Sequence, residues 1–166
     1  SRQGDETDGY SNGTLNFSTS LRPSESTQLE FFARHTDSEK QFDAIDFFET
    51  GLPIDADRSA EATQNYLAAT ALISPAGSLL SHQFRLTYLD TAQDTLSDGV
   101  GMSGFGAEKL GFYYQTTLPL GDSETYSLTA ALDHEQEDFV QQGTASPFGD
   151  PNQTQKLDTT GYVLEY

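Results

Sequence analysis

The sequence predicts an all-β chain, an antiparallel up-and-down meander of about seven long strands read as an open segment of a transmembrane β-barrel. Three observations predict it. Apolar residues recur with a period of two through most of the 166 residues, the mark of strands with one apolar and one polar face. In the central windows of those strands the formal charges are Glu30, Arg34 and Arg85, and all three fall on the polar parity. Short turns near residues 24, 76 and 122 alternate with long polar stretches near 50, 99 and 147, so a hairpin of roughly fifty residues repeats. A soluble sandwich produces the same parity. Short turns at one end and long loops at the other are instead a property of outer-membrane barrels, and strands of about ten residues suit a tilted membrane crossing.

The first strand is expected over Thr14–Leu21, with Leu15, Phe17, Thr19 and Leu21 on one face, and Arg22-Pro23-Ser24-Glu25 breaks it. The second, Thr27–Asp37, sets Leu29, Phe31 and Ala33 against Gln28, Glu30, Phe32 and Arg34. Gln41–Ala62 reads as a long loop. The third strand, Gln64–Ile73, contains LAATALI, apolar on both faces, and is assigned as strand by its length and neighbours. Ser74-Pro75-Ala76-Gly77 turns the chain into the fourth strand, Leu80–Asp90, with Phe84, Leu86 and Tyr88 on its apolar parity. A second long loop is expected over Thr91–Ala107. Leu110–Phe139 then forms a hairpin about Gly121-Asp122-Ser123: Phe112, Tyr114 and Leu118 alternate on one arm, and Tyr126, Leu128 and Leu132 on the other. A third loop spans Val140–Gln155, and a seventh strand Leu157–Tyr166.

Composition narrows the function. A net charge of −18, from 26 acids against 8 bases, lacks the basic footprint that nucleic acid requires. No cysteine is present, which excludes a disulfide framework and a thiolate metal site. No apolar run is long enough for a membrane-crossing helix. Without a starting Met or a signal peptide, the chain is expected to be an internal piece of a longer protein.

Chemistry-bearing patterns are few. Gly99-Val100-Gly101-Met102-Ser103-Gly104 matches G-x-G-x-x-G, but no βαβ frame surrounds it, so a Gly-rich loop is the better reading. His35, His82 and His134 lack partners at ligand spacing, and no nucleophile elbow occurs, so no enzymatic activity is expected. The first long loop carries Asp43, Asp46, Glu49, Asp55 and Asp57, oxygen donors that suit calcium without the EF-hand spacing; solvated loop charge is the better reading of them. Phe42, Phe47 and Phe48 in that loop are candidates for apolar ligand contact. The bases positioned toward a ligand are Arg34, Lys40, Arg58 and Arg85, which is few for a large anion, so a cationic or neutral ligand is favoured.

DETDGYSNGTLNFSTSLRPSESTQLEFFARHTDSEKQFDAIDF, TGLPIDAD, SHQFRLTYLDTAQD and the closing DTTGYVLEY resemble strands and loops of the TonB-dependent outer-membrane receptors, in particular the siderophore and cobalamin-type transporters. The resemblance covers essentially the whole chain, without the family's plug domain or energy-coupling box. It implies a slice of a larger barrel in the bacterial outer membrane. The parent would take up a small-molecule ligand such as a ferric siderophore or cobalamin, energised by the TonB-ExbB-ExbD complex through the plug. Calcium ordering the acidic loop is a further implication. The other reading is a soluble secreted β-sheet module that binds ligand or calcium through its acidic loops.

Overall fold

In the computed structural model, the structure describes residues 8–46, 49–54, 56–121, 126–147 and 149–166. Seven long strands form one antiparallel up-and-down sheet: β1 (Tyr10–Ser24), β2 (Thr27–Gln41), β5 (Arg58–Ile73), β6 (Ser81–Ser97), β7 (Val100–Leu120), β8 (Tyr126–Gly143) and β9 (Gln153–Glu165). Each pairs with the next along the chain, which leaves β1 and β9 as the two edges. The connection after β2 contains a small separate hairpin, β3 (Ala44–Ile45) with β4 (Pro53–Ile54). LAATALI lies in β5, as its length and neighbours suggest.

The strands exceed their expected bounds, chiefly at the long-loop end. Thr91–Ala107 is not a loop. β6 and β7 pair from Ser81↔Thr117 through Thr91↔Ala107 to Ser97↔Val100, with one bulge where Thr95↔Ser103 gives way to Leu96↔Gly101. Asp98 and Gly99, with φ of 53° and 71°, form the two-residue turn. Positive φ at both central positions is the turn whose twist matches a hairpin, and Asp-Gly is a preferred sequence for it. The first loop shortens to residues 42–57 and the third to 144–152, where Ser146 and Gly149 form a two-way bridge. At the other end β1 and β2 join through Glu25-Ser26 and β5 and β6 through 74–80, whereas Asp122 and Ser123 of the last turn lie outside the described residues.

The sheet is a single layer, and among the described residues only Ala44 is a buried hydrophobic side chain. Pairing nevertheless sorts the two faces. The row Leu21↔Leu29↔Ala71↔Phe84↔Tyr114↔Leu132↔Tyr162 carries no charge, nor does Thr19↔Phe31↔Ala69↔Leu86↔Phe112↔His134↔Thr160 beside it at neutral imidazole. Leu86 stays 53% exposed and Leu164 75%, so this apolar face is left uncovered by the described chain.

The apolar band runs obliquely to the rows. Its loop-side limit is Leu15 on β1, whose row ends at Lys156 on β9, but on β9 the band stops at Tyr162, six residues further along. Its turn-side limit moves the same way, from Leu21 on β1 to Tyr126 on β8, six residues past Leu132 in Leu21's row. Six residues at about 3.3 Å against five or six strand steps at about 4.8 Å put the strands at about 35–40° to the normal of the band.

Candidate ligand-binding site

The polar face is built from residues of the opposite parity. Its central rows hold Arg34, Lys109 and Glu137 in one, Glu135 in the next, and Glu30, Arg85 and Asp133 in a third. Acid and base are interspersed there. The Lys109 ammonium donates to Glu135 Oε2 at 2.8 Å on β7 and β8, and in the same two rows Phe32 and Tyr66 set their rings 5.9 Å apart on β2 and β5. Arg34 stands on β2 and Arg85 on β6, with β5 between them and four residues of offset, about 16 Å apart by strand geometry. Of the four predicted bases, Lys40 and Arg58 share this parity nearer the loop end, on β2 and β5, so the polar wall carries all four without joining them into one anion clamp.

Toward the loop end this wall loses its charge. Two successive rows, Thr14↔Thr36↔Gln64↔Thr91↔Ala107↔Phe139↔Gln155 and Asn12↔Ser38↔Ala62↔Gln93↔Phe105↔Gln141↔Gln153, contain amides, hydroxyls, alanines and two phenylalanines. Phe105 and Phe139 are diagonal neighbours across β7 and β8, their rings stacked with centroids 6.3 Å apart. They line an open hollow of about 360 Å³ with Gln93, Thr95, Ser103 and Gln141. Neither Phe105 nor Phe139 stood out in the sequence, because the first lies in the stretch taken for loop and the second just beyond an acidic run.

The 42–57 connection is anchored at its base, where Phe42 N–H donates to Arg58 C=O at 3.0 Å and Asp98 N–H donates to Asp57 C=O at 2.8 Å. Phe42 is half-buried and Asp43 exposed. The Asp46 carboxylate accepts from Glu49 N–H (3.0 Å), Thr50 N–H (3.1 Å) and Thr50 O–H (3.0 Å), so it shapes the turn that follows it. Phe47, Phe48 and Asp55 lie outside the described residues. Among the described residues no three His, Asp or Glu side chains gather in a metal-holding group.

On the apolar parity, the first row beyond the band at the loop end is polar: His35, Asn65, Asp90, Glu108, Asp138 and Lys156 in order. His35 Nε2 lies 2.5 Å from Asp37 and Nδ1 2.7 Å from Asn65 Oδ1, while Asn65 gives its amide N–H to Asp90 at 3.0 Å. Both ring nitrogens thus face acceptors, which suits the imidazolium. The hydrogen bond to Asn65 and then the Asp37 carboxylate raise the His35 pKa above its ordinary value, and the Thr63 hydroxyl and His35 lower that of Asp37. Lys156 pairs with Asp138 at 3.0 Å in the same row. Within the band Tyr114 and His82 share a hydrogen bond at 3.0 Å, and at the turn-side rim Tyr126 stacks on Tyr166 at 6.4 Å.

The comparisons with protein-family models, curated proteins and solved structures find no match to this chain. The G-x-G-x-x-G string spans the β6–β7 turn and the start of β7, which continues as strand to Leu120 where a nucleotide-binding turn would open a helix. The arrangement is one apolar face, one polar face, and the 42–57 and 144–152 connections at the same end of the sheet.

Proposed function

We propose that the chain is a segment of an outer-membrane receptor barrel of the TonB-dependent kind, its apolar band against lipid and its polar wall toward the lumen. The parent takes up a scarce small molecule, such as a ferric siderophore or a cobalamin, and is energised through a plug by the TonB-ExbB-ExbD complex. Calcium at the acidic first loop belongs to the same reading. The carrying observation is the oblique uncharged band: strands tilted about 35–45° to the membrane normal are the geometry of a barrel wall, and the slant measured from pairing and sequence falls at about 35–40°. Aromatic residues at the turn-side rim, Tyr126 and Tyr166, fit the girdle such barrels carry. The single layer supports it too, since a β-barrel wall needs no second sheet.

Site-directed spin labels test this reading in the full-length parent reconstituted in bilayers. Leu86→Cys is expected to be relaxed by dissolved oxygen and Thr87→Cys by a water-soluble nickel chelate. If both labels respond alike, or the lipid-phase response falls on Thr87, the barrel reading fails and a soluble module with a covered apolar face takes its place.

A further inference from the structure

We infer that the uncharged upper wall is a subsite for a neutral saccharide, docked on the Phe105–Phe139 pair. This rests on the barrel reading only in taking the polar face as the one that meets ligand. In a chain of net charge −18, two whole rows of seven residues, from Thr14 to Gln155 and from Asn12 to Gln153, carry none of it. The acids of the same strands at the same level, among them Asp37, Glu61 and Asp94, belong to the opposite parity.

The ligand class follows by elimination among chemistries. A ferric chelate bearing several negative charges needs clustered bases, and those of this parity stand on separate strands: Lys40 on β2 and Arg58 on β5 just above the two rows, Arg34 on β2 and Lys109 on β7 below them, the last already paired with Glu135. A cation needs carboxylates, which the two rows lack. A purely apolar ligand would strip water from the glutamines without replacing their hydrogen bonds. A sugar ring meets each feature. Its hydroxyls donate and accept, as do glutamine amides and threonine hydroxyls. Its C–H face suits the electron-rich face of a benzene ring. Phe105 is 39% exposed beside the stacked Phe139, and Gln93, Thr95 and Gln141 border the hollow between them. Gln153 already donates to Gln141 Oε1 at 2.8 Å, which orients the Gln141 amide within a ladder of side chains. A neutral peptide would use the amides but brings no flat C–H face to the ring pair.

The test is titration calorimetry on the full-length parent in detergent, with maltohexaose, cellohexaose and xylohexaose as neutral probes, ferric citrate as an anionic one and hexaglycine as a peptide. At least one oligosaccharide is expected to bind, with ferric citrate and hexaglycine silent. Phe105→Ala and Phe139→Ala should each weaken binding about tenfold or more, and Phe139→Tyr, which keeps a ring, by less than about threefold. Heat-modifiable migration shows that each variant is folded. Should Phe139→Ala not fold, Phe139→Tyr with Gln93→Leu carries the comparison: retained binding in the first and weakened binding in the second. The inference is overturned if none of the oligosaccharides binds, if binding ignores the Phe105 and Gln93 substitutions, or if the peptide or chelate binds in a Phe105-dependent way. A spin label at Phe105→Cys separates the two levels. Water-phase relaxation with no saccharide binding sinks this subsite alone, whereas lipid-phase relaxation there sinks the barrel reading itself.

Discussion

Residues of one registered row sit at different depths if the band is oblique, and arginine substitution along a single row reads those depths. The row Leu21, Phe84, Tyr162 runs from the turn-side edge of the band on β1, through its middle on β6, to its loop-side edge on β9. At a tilt of about 35°, each strand step along a row changes height by about 2.7 Å, so on the proposed barrel reading Leu21 and Tyr162 would lie about 16 Å apart along the membrane normal, with Phe84 midway. Arginine on the lipid face costs about 2–4 kcal/mol at the midplane and about 0–1 near the interfaces. Phe84→Arg should thus cost about 2–4 kcal/mol, and Leu21→Arg and Tyr162→Arg under about 1. Phe84 also packs on Tyr114 at 4.7 Å, so the alanine variant at each position is subtracted to isolate the charge. Parity supplies a second control: Leu128→Arg on the band should be costly and Thr129→Arg on the wall mild. The assay is equilibrium urea unfolding of the full-length parent in lipid vesicles. Equal charge costs along the row, or a maximum at either end of it, would refute the oblique band and the tilt derived from it.

Three further outcomes are expected. His35 should titrate above 6.5 by NMR, and Asn65→Ala and Asp37→Asn should each bring it down; since its folded pKa is raised, its contribution to stability is complete below 6.5 and is lost as pH rises through the folded value, so a midpoint at or below 6.5 contradicts the network. Gly99→Val forces a β-branched residue to φ of 71° in the β6–β7 turn and should cost about 1–2 kcal/mol, seen as faster amide exchange at Thr95 and Ser103 with the Leu86–Phe112 region unchanged; uniform exchange across the hairpin would count against a local turn. Deleting residues 44–57 leaves Asp43 beside Arg58, on a ladder already closed at Phe42, so the sheet should survive. Binding of ligand to whole cells should fall, and unchanged affinity with the barrel present at the surface would make this loop a cover.

The faces were legible in the sequence because parity is a property of the strand itself. Every charge found in the strand centres, Glu30, Arg34 and Arg85, lies on the polar face that the alternation assigned to it. The ends were less legible. Gly99, Gly101, Gly104 and Gly106 look like loop, yet Asp98-Gly99 alone makes the turn and the others sit in paired strand; a Cβ at Gly104 would stand 2.3 Å from the Asp94 carboxylate, a close cross-strand approach that glycine permits. Period two does continue through Ala92, Asp94 and Leu96, but with polar residues on both faces, which is what a strand looks like once it leaves an apolar layer. The candidate site was legible only in part. Arg34 and Arg85 fall on the wall as expected, whereas Phe105 and Phe139 meet only because register places Ala107 opposite Phe139. No pattern within either strand announces that pairing.

Net charge misleads about the ligand for a related reason. Beyond the band at the loop end, Asp37, Glu39, Glu61, Asp90, Asp94, Glu108 and Asp138 all lie on the apolar parity, so the acids face away from the polar wall. Their field reaches a ligand on that wall only across the sheet and its solvent, and at physiological ionic strength exposed charges are screened over about 8 Å. The wall's own groups, Arg34, Lys40, Arg58, Arg85 and Lys109 against Glu30, Asp133, Glu135 and Glu137, are nearer and close to balance. A total of −18 therefore says little about the charge of what binds. The seven strands in register say more: above the mixed central rows a ligand docked on this wall, as proposed, would meet amides, hydroxyls and two stacked rings, and its polarity would have to match those.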